Sequence, residues 1–180
     1  MSKHAISQGV IGGLILVAIN LLIYVIDPML MANWWLGMVF LPLIFVVLLV
    51  IGRNIRKAEG GYLKFGKAFL SVFIAGLIMS LLSTIWNIVL FNVVDPGLAE
   101  ALMETMADNM LAMMERFGAP VEDIEGEMQK GFEEAAAQFQ ISGQILGFFT
   151  GAFWWALGAL IVGAIVKKNP PVDTLDAQAV

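Results

Sequence analysis

Four stretches of the chain carry no Asp, Glu, Lys or Arg: Ala5–Ile26, Trp34–Gly52, Ala68–Val94 and Ile141–Val166. A helix of about 20 apolar residues crosses the roughly 30 Å of bilayer hydrocarbon, so each run is long enough to span it. The runs are continuous rather than alternating, which predicts helices and argues against barrel strands. The second run is the shortest and contains Pro42, which predicts a kink that a transmembrane helix tolerates. The third and fourth exceed the bilayer and are expected to tilt or to extend past the lipid. The first is longer than the apolar core of a cleaved leader, and no small-x-small cleavage site follows it, so it reads as a retained helix.

Between the third and fourth runs the pattern changes from wholly apolar to amphipathic. Asp95 is expected to cap a helix with Pro96 at its first position. Leu98, Leu102, Met106, Met110, Met113 and Phe117 recur at three- and four-residue steps and form one apolar face. Glu100, Glu104, Asp108 and Glu115 fall on the other side. Gly118 and Pro120 should end this helix and start a second, with Val121, Ile124, Met128, Phe132, Ala135 and Phe139 as its stripe. The expected fold is an all-α membrane protein with four transmembrane helices and an extracytoplasmic amphipathic helical hairpin over 95–140. Residues 1–168 form one domain, and 169–180 are expected to be a disordered cytoplasmic tail.

Charge sets the expected orientation. Eight of the ten Lys and Arg fall on one side of a four-crossing chain: Lys3, Arg53, Arg56, Lys57, Lys64, Lys67, Lys167 and Lys168. Cytoplasmic loops collect cations, so both termini and the basic loop are expected in the cytoplasm. Arg53, Arg56, Lys57, Lys64 and Lys67 are candidate lipid-headgroup contacts, each cation near an anionic surface contributing about 1 kcal/mol. The opposite segment, 95–140, holds eleven acids and two bases. The overall charge of −5 therefore conceals a strong asymmetry. An acidic polar face is repelled by anionic lipid, which argues against surface binding by the hairpin. A nucleic-acid partner is not expected either, because no fold beyond the basic loop would support one.

Composition agrees with a polytopic membrane protein: 59% of the 180 residues are hydrophobic, 14% are charged and the mean hydropathy is +0.85. Soluble domains are about 25% charged. Cysteine is absent and His4 is the single histidine. There is no glycine-rich phosphate loop, nucleophile–base pair or zinc signature, so an enzyme is not expected and no cofactor is called. The acidic row could in principle attract Ca²⁺, but Asp123–Glu127 lacks the EF-hand spacing and a solvated face accounts for it. Met103-x-x-Met106 and Met110-x-x-Met113 could present paired thioethers to Cu(I), though helix packing explains methionine equally well. The spans hold no carboxylate, amine or imidazole. Their polar residues, Asn20, Asn87 and Gln144 among them, fit interhelical hydrogen bonding or, alternatively, a polar seam. Gly9/Gly13, Gly76/Ser80/Thr84 and Gly143/Gly147/Gly151 space small residues for close helix approach. Trp34 and Trp35 suit an interfacial belt, whereas Trp154 and Trp155 should pack against helices.

The segment Gly60-Gly61-Tyr62-Leu63-Lys64-Phe65-Gly66-Lys67-Ala68-Phe69, entering the third span, resembles the most recognisable segment of domain of unknown function 4199. The Asp95-Pro96 exit, the acidic Met-rich helices and the Lys167-Lys168 ending are similar to that family too. It comprises small bacterial integral membrane proteins, chiefly from Bacteroidetes. The resemblance implies a four-span layout in a bacterial inner membrane and transfers no catalytic or binding residue, since the family's activity is unassigned. The expected function is a non-enzymatic accessory or scaffold role. In it the face Leu98, Leu102, Met106, Met110, Met113 and Phe117 meets another membrane protein or a second copy. The alternative is a small oligomeric transporter or channel using Asn20, Asn87 and Gln144.

Overall fold

The apolar runs become four long helices in the computed structural model, which describes residues 3–118 and 125–169. Helix α1 spans Lys3–Ile26, α2 Trp34–Ala58, α3 Phe65–Val89 and α6 Ile141–Val166, with α4 over Leu98–Arg116 and α5 over Glu125–Ala136. The four long helices, the third extended to Val94, are long and apolar enough to cross a membrane. No β-strand occurs among the described residues. The expected helix start at Pro120, the stripe positions Val121 and Ile124, and the tail from residue 170 lie outside the described residues, as do the side chains of 125–129 and 133, Met128 among them.

At the cation-rich end the helices overrun the apolar runs, for one reason. Helix α2 continues past Gly52 through Arg53, Arg56 and Lys57, and α3 begins at Phe65, before Lys67. Arg and Lys are good helix formers whose long stems reach headgroup level, so charge ends the apolar run without ending the helix. Helix α2 also runs unbroken through Pro42. The connection that remains between α2 and α3 is short, and it turns on Gly60 and Gly61 at φ +78 and +88. That left-handed backbone is open to glycine and costly for other residues.

Helix α3 is the centre of the bundle and packs mainly on α1 and α6. Small residues make both contacts close. A Cβ on Gly9 would lie 2.8 Å from the Ala75 carbonyl oxygen, and one on Gly163 would lie 3.0 Å from the Phe69 nitrogen. The indole of Trp155 fills the space over Gly76. The core near this loop is made by Ile51, Ile55, Leu63, Val72, Met79 and Val162, all fully or almost fully buried. Close packing of this kind holds helices together in lipid, where no hydrophobic force separates one apolar surface from another.

The small-residue row of α6 behaves differently from the expectation. Gly143 abuts the Ala137 carbonyl of the turn that precedes α6, while Gly147 and Gly151 have nothing within 4 Å of an added Cβ. Trp154 is also a correction: it is 70% exposed and faces away from the other helices, whereas Trp155 packs into the core. Neighbouring residues on a helix point about 100° apart, which lets this pair face two different surroundings.

At the end where α1 meets α2, a 3₁₀ turn spans Pro28–Ala32, its start capped by Asp27, whose carboxylate accepts the Met29 N–H at 2.9 Å. At the same end α3 closes in a π-helical turn, Leu90–Val94. Such turns rotate the side chains that follow them. Here Leu90 and Phe91 are buried, and Asn92 donates to the Ile88 carbonyl at 3.0 Å.

Candidate functional site

The α4–α5 pair sits on the end of the bundle formed by the 3₁₀ turn and the π turn. Asp95 does not cap α4 with its side chain: the N-cap is Gly97, and no side-chain cap bond is made. The Asp95 carboxylate instead accepts the Tyr24 hydroxyl at 3.3 Å, and its backbone carbonyl accepts the Leu98 N–H at 3.1 Å. The carboxylate is turned toward Tyr24 on α1 and makes no bond to the open amides of α4.

The apolar face of α4 divides in two. Leu98 and Leu102 are buried against Ala32, Leu90 and Phe91, with Tyr24, Met29, Trp86 and Met106 packed around them. Thr105 on the same side donates to the Ala101 carbonyl at 2.8 Å, with the Met29 sulfur 3.3 Å away. Met110 and Met113 are exposed, Met113 to 56%, and Phe117 is 81% exposed. Leu98 and Leu102 are thus corrected from a docking face to a core: the chain covers them itself. The reason is length. A helix of 19 residues runs about 28 Å, and a five-residue 3₁₀ turn covers only its first turns.

The acidic row of α4 borders a groove. A volume of about 850 Å³ lies between α4 and the α5 side, with Glu100, Glu104 and Asp108 along one wall and Met103 below them. Phe91, Phe132 and Phe139 line it too, together with the polar Asn92 and Gln140. The Phe91 and Phe139 rings pack at 4.6 Å between centroids, which joins the π turn to the turn before α6. The three acids are exposed, as expected of a solvated face, and what sequence reading missed is the groove they border. Ala99, Ala107 and Ala136 on the lining were the available signal, because small residues between larger ones leave space.

Met103 and Met106 do not act as a pair. Met103 lines the groove, while Met106 packs into the apolar cluster with Leu102. No group of three or more His, Cys, Asp or Glu converges in a metal-holding arrangement among the described residues.

Of the three residues of the suggested polar seam, the structure brings two together. Asn20 and Asn87 line a small cavity of about 150 Å³ with Ser83 and Trp86, between α1, α2 and α3. Gln144, on α6, is not part of that lining. Sequence reading missed Trp86, whose indole Nε1 donates to Asn20 at 2.7 Å. An indole N–H inside apolar surroundings needs an acceptor, which was the clue.

The five candidate headgroup cations divide similarly. Arg53, Lys57 and Lys64 are exposed at the opposite end of the bundle. Arg56 is half-buried and donates to the Val166 carbonyl at 3.2 Å, at the open end of α6. Lys67 pairs with Glu59 at 2.6 Å. Leu63 and Lys168 exchange two backbone hydrogen bonds, at 2.7 and 2.8 Å, so the Gly60–Phe69 segment fastens the end of α6. The Lys168 ammonium lies 5.5 Å from the centre of the Tyr62 ring.

No curated protein sequence and no solved structure gives a significant match to the chain. A family profile does, over residues 8–168, from the start of α1 through the Leu63–Lys168 bridge, and so over the whole bundle with its groove and fastening. On that match the chain belongs to the family described as protein of unknown function (DUF4199).

Proposed function

We propose that this protein is a non-enzymatic accessory protein of a bacterial inner membrane. The cation asymmetry supports an orientation with the Gly60–Phe69 side and both termini in the cytoplasm and the α4–α5 pair outside. In that arrangement α4 presents its second half to a partner protein. The carrying observation is the exposure of Met110, Met113 and Phe117 on a helix that stands beyond the apolar spans. Exposed apolar side chains at consecutive helical steps on a water-facing element mark an interaction site, and methionine adapts to irregular partners.

The test is photo-crosslinking in native membranes with a photoreactive residue at Met113. A discrete adduct with a second membrane protein is expected, and the same probe at buried Leu102 should give none. Adducts confined to lipid at Met113 would overturn the proposal.

A further inference from the structure

We infer that the cavity between α1, α2 and α3 is a hydration site, holding a small cluster of water molecules inside the membrane-spanning bundle through Asn20, Ser83 and Asn87. It lies within the spans, apart from the Met110–Met113–Phe117 face, so neither reading depends on the other.

Two independent observations meet there. The first is unanswered polarity. Ser83 and Asn87 stand one turn apart on α3, and Asn20 of α1 lines the same cavity. Trp86 donates to the Asn20 oxygen at 2.7 Å, which leaves the two protons of the Asn20 amino group uncommitted. Among the described residues the Ser83 hydroxyl and the Asn87 amide take part in no hydrogen bond. Asn20 lies about 9 Å inside the Ile26 end of α1, at a rise of about 1.5 Å per residue. Lipid offers no hydrogen bond at such depth, so a polar group left to it is costly. The second observation is space. The cavity measures about 150 Å³, and the walls completed by Leu16, Val17, Phe40 and Ile44 cannot answer an amide.

Volume and chemistry together choose the occupant. At about 30 Å³ per water, the cavity has room for about five. Small-molecule sites begin at roughly 300 Å³, which excludes a bulky solute. A lining without a charged side chain excludes an ion. A lipid acyl chain suits the apolar walls but leaves the amides and the hydroxyl unanswered. Water donates and accepts, so one cluster serves the Asn20 amino group, Ser83 and both ends of Asn87. Toward the cation-rich end the cavity is closed. Met79, one turn from Ser83 on α3, is fully buried with its sulfur beside Gly12. The cluster therefore occupies a blind pocket and is not a stretch of a path across the membrane.

The experiment is nuclear magnetic resonance of the full, nitrogen-labelled chain in uncharged maltoside micelles, at mildly acidic pH where amide protons exchange slowly. Cross-relaxation is read from the Asn87 side-chain amide, assigned by its loss in Asn87→Leu, to water and to the maltoside chains. A water cross-peak is expected, with opposite signs in the laboratory and rotating frames, the mark of water held longer than in bulk. It should persist in Ser83→Ala; loss there would trace the signal to proton exchange through the hydroxyl and overturn the inference. It should vanish in Ser83→Leu, whose side chain takes up the cavity, with the Trp86 indole signal reporting that this variant is folded. Should that variant fail to fold, Ile44→Phe fills the same cavity from α2 and should remove the peak likewise. Cross-peaks to the maltoside chains in place of water would make the cavity a lipid cleft and overturn the inference. Cross-peaks to neither would make it dry and overturn it too. So would a water peak that survives filling of the cavity, because that water would sit elsewhere.

Discussion

The Trp86 indole N–H and the Asn20 side-chain oxygen meet at 2.7 Å, tying α3 to α1 beside the cavity that also holds Asn87. Hydrogen bonds between transmembrane helices average about 0.6 kcal/mol, because the separated helices find other partners. Leaving a buried donor without an acceptor costs more, about 1–3 kcal/mol. Asn20→Leu should therefore lower stability by about 1 kcal/mol or more, read as the midpoint of unfolding in mixed micelles. Trp86→Phe in the Asn20→Leu background removes the orphaned donor, so it should cost less there than in the parent. Equal costs in the two backgrounds would show that the residues are not coupled.

Gly9 and Gly147 should respond oppositely to the same substitution. A Cβ on Gly9 meets the backbone of Ala75, which cannot swing aside, and overpacking of this kind costs about 1–3 kcal/mol. A Cβ on Gly147 meets nothing within 4 Å, and alanine is favoured over glycine inside a helix by about 1 kcal/mol. Gly9→Ala should thus lower the unfolding midpoint, while Gly147→Ala leaves it unchanged or raises it. A loss of stability in Gly147→Ala would reveal a neighbour that the single chain does not contain.

How much of this was readable beforehand depends on what each residue answers to. The spans were legible because twenty uncharged apolar residues have few other fates, and Ile141–Val166 appears as a helix with those bounds. The amphipathic period of α4 was legible too. What sequence could not supply is which part of a face is covered. Leu102 and Met113 read alike, yet Leu102 is 3% exposed and Met113 56%, because coverage is set by a turn some 70 residues away. Asp95 misled for a related reason. Local chemistry marked it as a cap, and Tyr24, remote in sequence, took its carboxylate. The groove was only hinted at, by Ala99, Ala107 and Ala136, because it is space between α4 and α5 and belongs to neither helix alone.

Arg56 and Lys67 look equivalent in sequence but should differ in effect. Arg56 is half-buried and satisfies the Val166 carbonyl, one of the open acceptors at the end of α6. Removing it leaves that carbonyl short of a charged donor, a loss of about 1.5–3 kcal/mol. The Lys67 side chain is 55% exposed, and exposed ion pairs are typically worth under about 1 kcal/mol. Arg56→Gln should therefore destabilise clearly, whereas Lys67→Gln should change the midpoint little and lose even that at high salt. Reversal of this order would place the fastening of α6 in the Lys67–Glu59 pair.

The Gly60–Phe69 segment should act as a fastening that depends on backbone rather than on side-chain charge. Leu63 donates to the Lys168 carbonyl at 2.7 Å and accepts the Lys168 N–H at 2.8 Å, with its own side chain buried among Ile55, Val72 and Val166. The chain reaches that position through Gly60 and Gly61, both left-handed. A β-branched residue in this backbone costs about 1–2 kcal/mol at each site. Gly61→Val should thus destabilise, while Lys168→Gln, which keeps both backbone bonds, should lose only the weaker contact of its ammonium with Tyr62. Amide hydrogen exchange gives the sharper measurement. The Leu63 N–H should be protected in the full chain and in Lys168→Gln, and should exchange faster in a chain ending at Val166. Unchanged protection at Leu63 in the shortened chain would show that the α6 end is held by Arg56 and apolar packing alone.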